Sequence, residues 1–415
     1  MNRNINTDLI LSQYSSHICV PDVQRHLQHL NLDGWLFYDF RRSNDLACRF
    51  LKIPATILIS RRFFYWIPRA GDPVKIIHRI ENHVLDHLPG SALEYSTWQE
   101  LEDQLAGILQ GCHSIAMEYS PKNAIPTVSK VDAGTVELVR SFGVQVESSA
   151  DLLQSYISVW SDQQLELHRA AAEVLQTSVE KAWKYIAEAL SRHKEITEVD
   201  VQQFLLQEFK NNHCICDDSP ICAVNAHAAD PHCLPGSGPE SIIRKNDFVL
   251  IDVWCKKDVP GAVYADITRV GVCGQPTKRH QEIFDIVKRA RDAAVNLLQE
   301  RLLAGKELRG WEVDQACRQV IIQAGFGQFF PHRTGHNIGE RDHGDGANID
   351  NFETRDVRLL IPGTCFSIEP GIYLPGEFGV RLEDDVYLSK DGKSLQITKG
   401  MQSELALIVG SVPEV

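Results

Sequence analysis

Five side chains scattered over the second half of the chain are of types that could act together in one site. Two aspartates lie within apolar segments, Asp252 in VLIDVW and Asp266 in VYADITRV. Farther along lie a histidine in GHNIG and two glutamates in SIEPG and RLEDD, namely His336, Glu369 and Glu383. Taken singly, either aspartate could be a strand-end or turn residue. An ionised carboxylate in apolar surroundings is costly unless a cation or a proton neutralises it, so the whole set is a candidate cation site.

The composition of this set predicts the kind of cation. Four carboxylates and one imidazole carry more negative charge than one divalent ion requires, which favours two close ions bridged by carboxylates. Oxygen ligands with a single nitrogen favour Mn²⁺, Co²⁺, Fe²⁺ or Zn²⁺ over ions that prefer thiolates. We interpret the nearby cysteines as small apolar side chains. The sequence therefore predicts a dinuclear metal centre, with Mn²⁺ as the foremost candidate.

Strands and helices that could position these residues are visible in the apolar patterns. Strands are predicted over 221–224, 248–254, 262–270 and 403–409, and alternation places Leu250, Asp252 and Trp254 on one face. Helices are predicted over 199–209, 278–302 and 313–324, and a long helix follows a capping box formed by Ser161 and Gln164. At roughly 100–200 residues per domain, this change of pattern predicts two domains, residues 1–160 and residues 161–415.

Residues 1–160 have the alternating pattern of an α/β domain. Helices are predicted at 23–30 and 98–109, and strands at 34–38, 55–59, 63–67 and 114–117. This alternation favours a mixed or parallel sheet with helices on its faces. We find neither a Gly-rich phosphate loop nor a Ser/His/Asp cluster in this sequence, so shielding, oligomerisation and substrate restriction all stay open as its role.

Composition excludes several classes of function. The net charge of −13 would repel phosphate backbones, which argues against a nucleic-acid partner. We find no run of about 18 apolar residues and no charged segment followed by an apolar core at the start, so neither a membrane span nor a secretory signal is expected. Eleven scattered cysteines fit reduced thiols in a cytoplasmic protein.

The order and the local contexts of the five residues resemble the proline-peptidase branch of the pita-bread metallopeptidases, which includes Xaa-Pro dipeptidases (prolidases) and aminopeptidase P. The resemblance rests on DITR, GHNIG, IEPG and RLEDD, and it covers about residues 160–410. It extends less specifically to a creatinase-type N-terminal domain. The implied fold is an α/β N-terminal domain followed by an α+β pita-bread catalytic domain.

The resemblance implies a role for each ligand residue. Asp252 would bind one ion, and Asp266 and Glu383 would bridge both ions. His336 and Glu369 would bind the second ion, and Glu369 would also serve as the general base. Water activated by the two ions would then attack the carbonyl of the scissile bond.

Further residues match positions that handle the substrate in this family. These are three histidines, His232, His332 and His343, of which His343 or His232 would stabilise the oxyanion. Arg381 lies two residues before Glu383 and would either pair with the acidic cluster or contact a substrate carboxylate. Thr268 is a candidate donor that orients a ligand carboxylate.

The implied activity is hydrolysis of the Xaa-Pro bond in small proline-containing peptides. Proline has no N–H, so enzymes that hold a peptide by that donor lose a contact. Chain length and the NAHAADPH loop favour a dipeptidase over an aminopeptidase that acts on longer peptides. A non-catalytic binding protein is disfavoured because all five ligand types are present, and a methionine aminopeptidase is disfavoured because its simplest forms lack the N-terminal domain. The family resemblance also implies a homodimer or a higher oligomer.

Overall fold

The computed structural model describes residues 18–231, 233–236 and 241–409. The chain divides into two compact units, one ending at Val159 and the other beginning at Trp160. The division lies next to Ser161, whose hydroxyl accepts a hydrogen bond from the Gln164 N–H and begins the longest helix. Within the described residues, no helix combines the length and the apolar character that a bilayer crossing needs.

The first unit is built on a mixed sheet. Its strands run in the order β4-β3-β2-β1-β5-β6, and β1 is antiparallel to β2 but parallel to β5. Trp35 and Phe37 pack in one buried cluster, and Leu36 and Tyr38 pack in another, so both faces of β1 are covered. The strands are β1 (Gly34–Asp39), β2 (Phe63–Pro68), β3 (Val74–His78), β4 (Ser91–Tyr95), β5 (Ser114–Met117) and β6 (Gln145–Ser148). The helices are α1 (Val20–Leu30), α2 (Asp45–Phe50), α3 (Trp98–Leu109), α4 (Ala133–Ser141) and α5 (Ala150–Ile157).

One predicted strand of this unit is wrong. Residues 55–59 form turns and irregular chain, although their composition is apolar and β-branched. The Arg42 guanidinium donates hydrogen bonds to the carbonyls of Pro54 and Ile57, which fixes the segment as a loop. Leu58 is largely exposed and only Ile59 is fully buried, so the segment presents no continuous apolar face to the sheet.

In the second unit, long helices surround paired antiparallel strands. Its helices are α6 (Asp162–Ser191), α7 (Glu198–Asn211), α8 (Lys278–Leu303) and α9 (Gly310–Gln323). Its first strands are β7 (Cys214–Ile215), β8 (Ile221–Val224), β9 (Phe248–Lys257) and β10 (Ala265–Val272). Its later strands are β11 (Asn337–Ile338), β12 (Cys365–Ile368), β13 (Gly371–Leu374), β14 (Phe378–Arg381), β15 (Asp384–Leu388), β16 (Leu395–Ile397) and β17 (Ala406–Leu407).

The strands of this unit form two sheets and one separate pair. One sheet has the order β17-β10-β9-β7, with β8 also paired to β9; a second has the order β11-β12-β15-β16; and β13 pairs with β14. The strand predicted over 403–409 is reduced to β17, where two residues pair in parallel with Gly271 and Val272 of β10. The Ile408 N–H also donates to the Val272 carbonyl at 2.8 Å, and the residues before Ala406 lie outside the ladder.

Alternation along β9 divides its side chains between two buried clusters. Leu250 packs with α8 and α9 in one cluster, whereas Ile251 and Val253 pack with α6 and α7 in the other. On β10, Val270 belongs to the first cluster and Ile267 to the second. Even-numbered positions of both strands therefore share one face, and that face also carries the two predicted aspartate ligands.

Candidate metal centre

The β9–β10 ladder places two aspartates and a threonine side by side. Thr268 lies directly opposite Asp252, and Asp266 lies opposite Trp254, so the polar side chains project from the same face. A single further bridge joins Thr268 to Glu383 on the other side. The Thr268 hydroxyl oxygen lies 2.7 Å from Glu383 Oε2 and 3.0 Å from Asp252 Oδ1. Thr268 thus links two candidate ligands from distant parts of the chain, as an orienting residue would.

Residues at the edge of the second sheet supply the remaining three candidate ligands. In the β12–β15 ladder Ile368 lies opposite Asp384, so Glu369 and Glu383 occupy the next opposed positions where the strands end. The Glu369 N–H donates to the Thr334 carbonyl at 2.7 Å. The N–H of His336, which precedes β11, donates to Ser367 Oγ at 3.0 Å. Backbone pairing therefore fixes the point where each of these side chains enters the site.

The structure brings the five predicted ligands into one cluster. His336 Nε2 lies 3.5 Å from Glu369 Oε1 and 3.8 Å from Asp266 Oδ2. Ligand atoms of Asp266, His336 and Glu383 lie within 4.8 Å of one another, and Thr268 joins Asp252 to this group. His336 Nδ1 lies 3.2 Å from the Asn337 carbonyl oxygen, which can only accept, so Nδ1 carries the proton and Nε2 is free to ligate.

Because the cluster is buried, its carboxylates would be unfavourable in the ionised form without a cation beside them. Burial raises the pKa of Asp266 well above its usual range, and the charge of Glu383 adds to the effect. Burial raises the pKa of Glu369 to about 7 and lowers the pKa of His336 well below its usual range. Asp266 Oδ1 is buried without a hydrogen-bond partner. Crowded carboxylates, a neutral imidazole and an unsatisfied oxygen together fit divalent cations, so the residues present are suited to a dinuclear centre.

Arg381 is held entirely inside the cluster. Its Nη2 donates to Asp252 Oδ2 at 2.5 Å, its Nε to Thr268 Oγ1 at 3.1 Å, and its Nη1 to the Tyr373 hydroxyl at 2.9 Å. The side chain is only 5% exposed. Of the two roles considered from the sequence, this geometry matches pairing with the acidic cluster, because every nitrogen of the guanidinium is already engaged.

His332 is also held by internal hydrogen bonds. Arg381 donates to the Tyr373 oxygen, so the Tyr373 hydroxyl proton points to His332 Nε2, 2.8 Å away. His332 Nδ1 donates in turn to the Arg333 carbonyl at 2.7 Å. Burial lowers the pKa of His332 to about 3, which keeps the ring neutral. Direct substrate contact by either ring nitrogen would require one of these bonds to break.

His343 has a different environment from His332. Its side chain is 65% exposed, and its ring lies 4.1 Å from that of His336, measured between centroids. It therefore lies on the solvent-accessible side of the cluster. His232, the other histidine expected to stabilise an oxyanion, lies outside the described residues.

Two charged residues at the centre, Arg333 and Asp342, were not predicted from the sequence. Arg333 Nη2 lies 3.4 Å from His343 Nδ1, and the Arg333 backbone N–H donates to Glu353 Oε1. Asp342 contributes a carboxylate whose ligand atom lies within 4.8 Å of those of His336 and His343. Both residues lie in irregular segments with no periodic pattern. The signal that could have found them is the density of charged residues in HRTGHNIGERDH.

A buried ion-pair network supports the segment between β14 and β15 that carries Glu383. Arg269 Nη1 donates to the Glu383 carbonyl at 2.6 Å, and Arg269 Nη2 lies 2.9 Å from Asp384 Oδ1. Arg291 approaches the other oxygen of Asp384 at 3.2 Å. On the next residue, Asp385 Oδ2 accepts the backbone N–H of Asp266 at 2.8 Å. These bonds hold the two bridging candidates, Asp266 and Glu383, in a fixed relation.

The chain is similar to known proteins in sequence and in fold. A peptidase of Staphylococcus aureus strain USA300, itself uncharacterized, is 30% identical over 264 residues, which are 62% of this chain and 67% of that protein. Dipeptidase PepE from Mycobacterium ulcerans has a similar fold, with a TM-score of 0.67 and 21% identity over 95% of this chain and 100% of that one. The prolidase from Pyrococcus horikoshii OT3 gives a TM-score of 0.60 and 20% identity over 93% of this chain and 99% of that one.

These likenesses confirm the predicted fold class, an α/β N-terminal domain with a pita-bread domain. The family model for metallopeptidase family M24 matches residues 166–390, which is more than half of the 415 residues. The matched segment contains all five residues of the cluster. The chain therefore belongs to metallopeptidase family M24.

Proposed function

We propose that this protein is a metal-dependent peptidase that hydrolyses the Xaa-Pro bond, chiefly in dipeptides. The observation that carries the proposal is the buried cluster of four carboxylates and one neutral imidazole, in which Asp266 Oδ1 lacks a partner. The Xaa-Pro preference is supported by neighbours of similar fold, which include an Xaa-Pro dipeptidase from Bacillus anthracis. We further propose Mn²⁺ as the metal, a homodimer and a cytoplasmic location.

In this proposal the cluster would hold two divalent ions. Asp252 would ligate one ion, His336 and Glu369 would ligate the other, and Asp266 and Glu383 would be shared by both. When bound, such ions supply Lewis acidity, which lowers the pKa of water and polarises a carbonyl oxygen. This assignment uses each side chain from the position that the strands give it.

The remaining catalytic work falls to side chains of the chain itself. Glu369 Oε1 accepts a hydrogen bond from Ser367 Oγ at 3.1 Å, which orients the carboxylate. In that position Glu369 takes the proton of the attacking water and passes it to the proline nitrogen as the bond breaks. His343, on the accessible side, donates to the developing oxyanion, and His232 is proposed to assist it. Arg381 and Thr268 keep Asp252 and Glu383 in place without touching the substrate.

Preference for dipeptides requires a cation that binds the C-terminal carboxylate. Arg381 is fully engaged with Asp252, Thr268 and Tyr373, so it is poorly suited to that task. Arg333 is the better candidate because its side chain is 20% exposed and lies next to His343, and its contact with Glu353 is long, at 4.0 Å. A guanidinium binds a carboxylate with two parallel hydrogen bonds, which selects a substrate that ends at proline.

The test compares three substrates with Mn²⁺ present: an Xaa-Pro dipeptide, its C-terminal amide and an Xaa-Pro-Yaa tripeptide. We expect the highest kcat/KM for the dipeptide. Arg333→Gln should lower kcat/KM for the dipeptide about tenfold to a hundredfold, as loss of a hydrogen bond to a charged group implies, and leave the value for the amide nearly unchanged. Turnover of the tripeptide alone would instead identify an aminopeptidase, and equal losses on dipeptide and amide would remove Arg333 as the carboxylate-binding group.

A further inference from the structure

Asp342 is a carboxylate at the metal centre that lies outside the five-residue set. It follows β11 in an irregular segment, directly before His343. Ligand atoms of His336, Asp342 and His343 all lie within 4.8 Å of one another. Asp342 Oδ1 is buried and has no hydrogen-bond partner. An acceptor in this position lacks its usual compensation and is suited to bind a cation.

The carboxylates around Asp342 strengthen the case for a bound cation. The carboxyl group of Asp266 is close enough to influence that of Asp342, and Asp266 Oδ1 is likewise buried and unpartnered. Asp252 and Glu369 are close enough for their charges to act on Asp342 as well. Carboxylates so placed repel one another unless something positive lies between them.

The two possible ligand groups of this centre meet at one imidazole. Asp266, His336 and Glu383 form one group, and His336, Asp342 and His343 form the other. His336 Nδ1 is committed to the Asn337 carbonyl, so Nε2 is its only ligating atom. Both groups therefore share the His336 imidazole.

We propose that Asp342 is a further ligand of the metal ion held by His336. This inference rests on the proposed metal centre, and not on the identity of the peptide that is cleaved. Asp342 would bring the total to five carboxylates, one more than two divalent ions neutralise, and Arg381 and Arg333 lie nearby to offset the excess. An added hard oxygen ligand tightens the site and shifts its preference toward Mn²⁺ and away from softer ions.

The experiment compares Asp342→Asn with the wild type and with Glu340→Gln. Glu340 is an exposed carboxylate in the same loop, so its variant removes one charge without touching the centre. Metal-free proteins are titrated with Mn²⁺ alone by calorimetry, and bound metal is counted by elemental analysis after dialysis. We expect two ions in the wild type and in Glu340→Gln, and one of the two bound about tenfold to a hundredfold more weakly in Asp342→Asn.

Thermal unfolding in EDTA separates metal binding from folding. Asp342→Asn should unfold at the same temperature as the wild type or higher, because it removes a repelling charge, yet gain less from added Mn²⁺. Asp342→Ser, which also removes the charge, gives the same comparison if the asparagine variant does not fold. Wild-type Mn²⁺ affinity at both sites in folded variants would overturn the inference. A wild type that binds two ions but cleaves no Xaa-Pro peptide would refute the proposed function and leave this inference standing.

Discussion

Replacing Arg381 by methionine should destabilise the metal-free protein much more than the metal-loaded protein. Methionine keeps most of the apolar stem but removes the guanidinium that donates to Asp252, Thr268 and Tyr373. Asp252 would then be a buried carboxylate with one hydrogen-bond donor fewer and no adjacent cation. A bound divalent ion next to Asp252 would supply that missing positive charge.

The size of the effect follows from the burial of the pair. The side chains of Arg381 and Asp252 are 5% and 11% exposed. Breaking a buried ion pair by removing one partner costs about 3–5 kcal/mol. For a unit of this size, at about 2–4 °C per kcal/mol, the midpoint of thermal unfolding should fall by roughly 6–20 °C in EDTA. With saturating Mn²⁺, less than half of that difference should remain.

The assay is calorimetric unfolding of the wild type and Arg381→Met, each in EDTA and in Mn²⁺. Arg289→Met is the matched control, because Arg289 is an exposed arginine on α8, and its effect should stay within about 0.5 kcal/mol. If Arg381→Met lost as much stability in Mn²⁺ as in EDTA, the guanidinium would not be compensating the same charge as the metal. An unchanged midpoint in EDTA would refute the reasoning altogether.

Three further substitutions test other parts of the account. Thr268→Val removes the hydroxyl between Asp252 and Glu383 while keeping the shape of the side chain. The affinity for Mn²⁺, measured by calorimetry, should therefore fall about tenfold to a hundredfold. An unchanged affinity would contradict the linking role of Thr268. Glu369→Gln should lower kcat on an Xaa-Pro dipeptide by about 10²–10⁴ while the circular dichroism spectrum is retained; near-normal turnover would remove Glu369 as the base. In the first unit, burial raises the pKa of Glu118 to about 7 despite three hydrogen-bond donors. Because the folded-state pKa of Glu118 lies above its unfolded value, the stability contributed by the neutral carboxyl is fully present below about pH 4.5 and is lost as the pH rises through 7. Urea unfolding should therefore show that the wild type loses about 3 kcal/mol of unfolding free energy relative to Glu118→Gln between pH 4.5 and pH 8. Parallel pH profiles for the two proteins would exclude this ionisation.

The sequence is most informative where polar ligands interrupt regular apolar patterns. Asp252 and Asp266 lie in strands whose alternation fixes the face of each side chain, and the β9–β10 pairing then brings them together. The predicted bounds of α3, α8 and β5 also agree with the structure to within one residue. Local rules suffice there because the strand or helix itself determines where the side chain points.

The sequence is less informative where contacts between distant residues determine the local structure. Residues 55–59 have strand-like composition but lie in a loop, because Arg42 binds their carbonyls and no sheet partner meets them. Tyr373 is surrounded by apolar residues in GIYL and resembles a core residue, yet its hydroxyl joins His332 to Arg381. Asp342 lies in an irregular segment, and its proximity to Asp266 depends on how that segment folds back over the strands.

The central claim is that five side chains converge on two cations. It is tested most directly by diffraction from a crystal of the Mn²⁺-loaded protein at the manganese absorption edge, with metal content measured on the same preparation. We predict two anomalous peaks, one in contact with Asp252, the other in contact with His336 and Glu369, and both touching Asp266 and Glu383. A protein that retains no stoichiometric manganese, or peaks that lie away from these residues, would contradict the account.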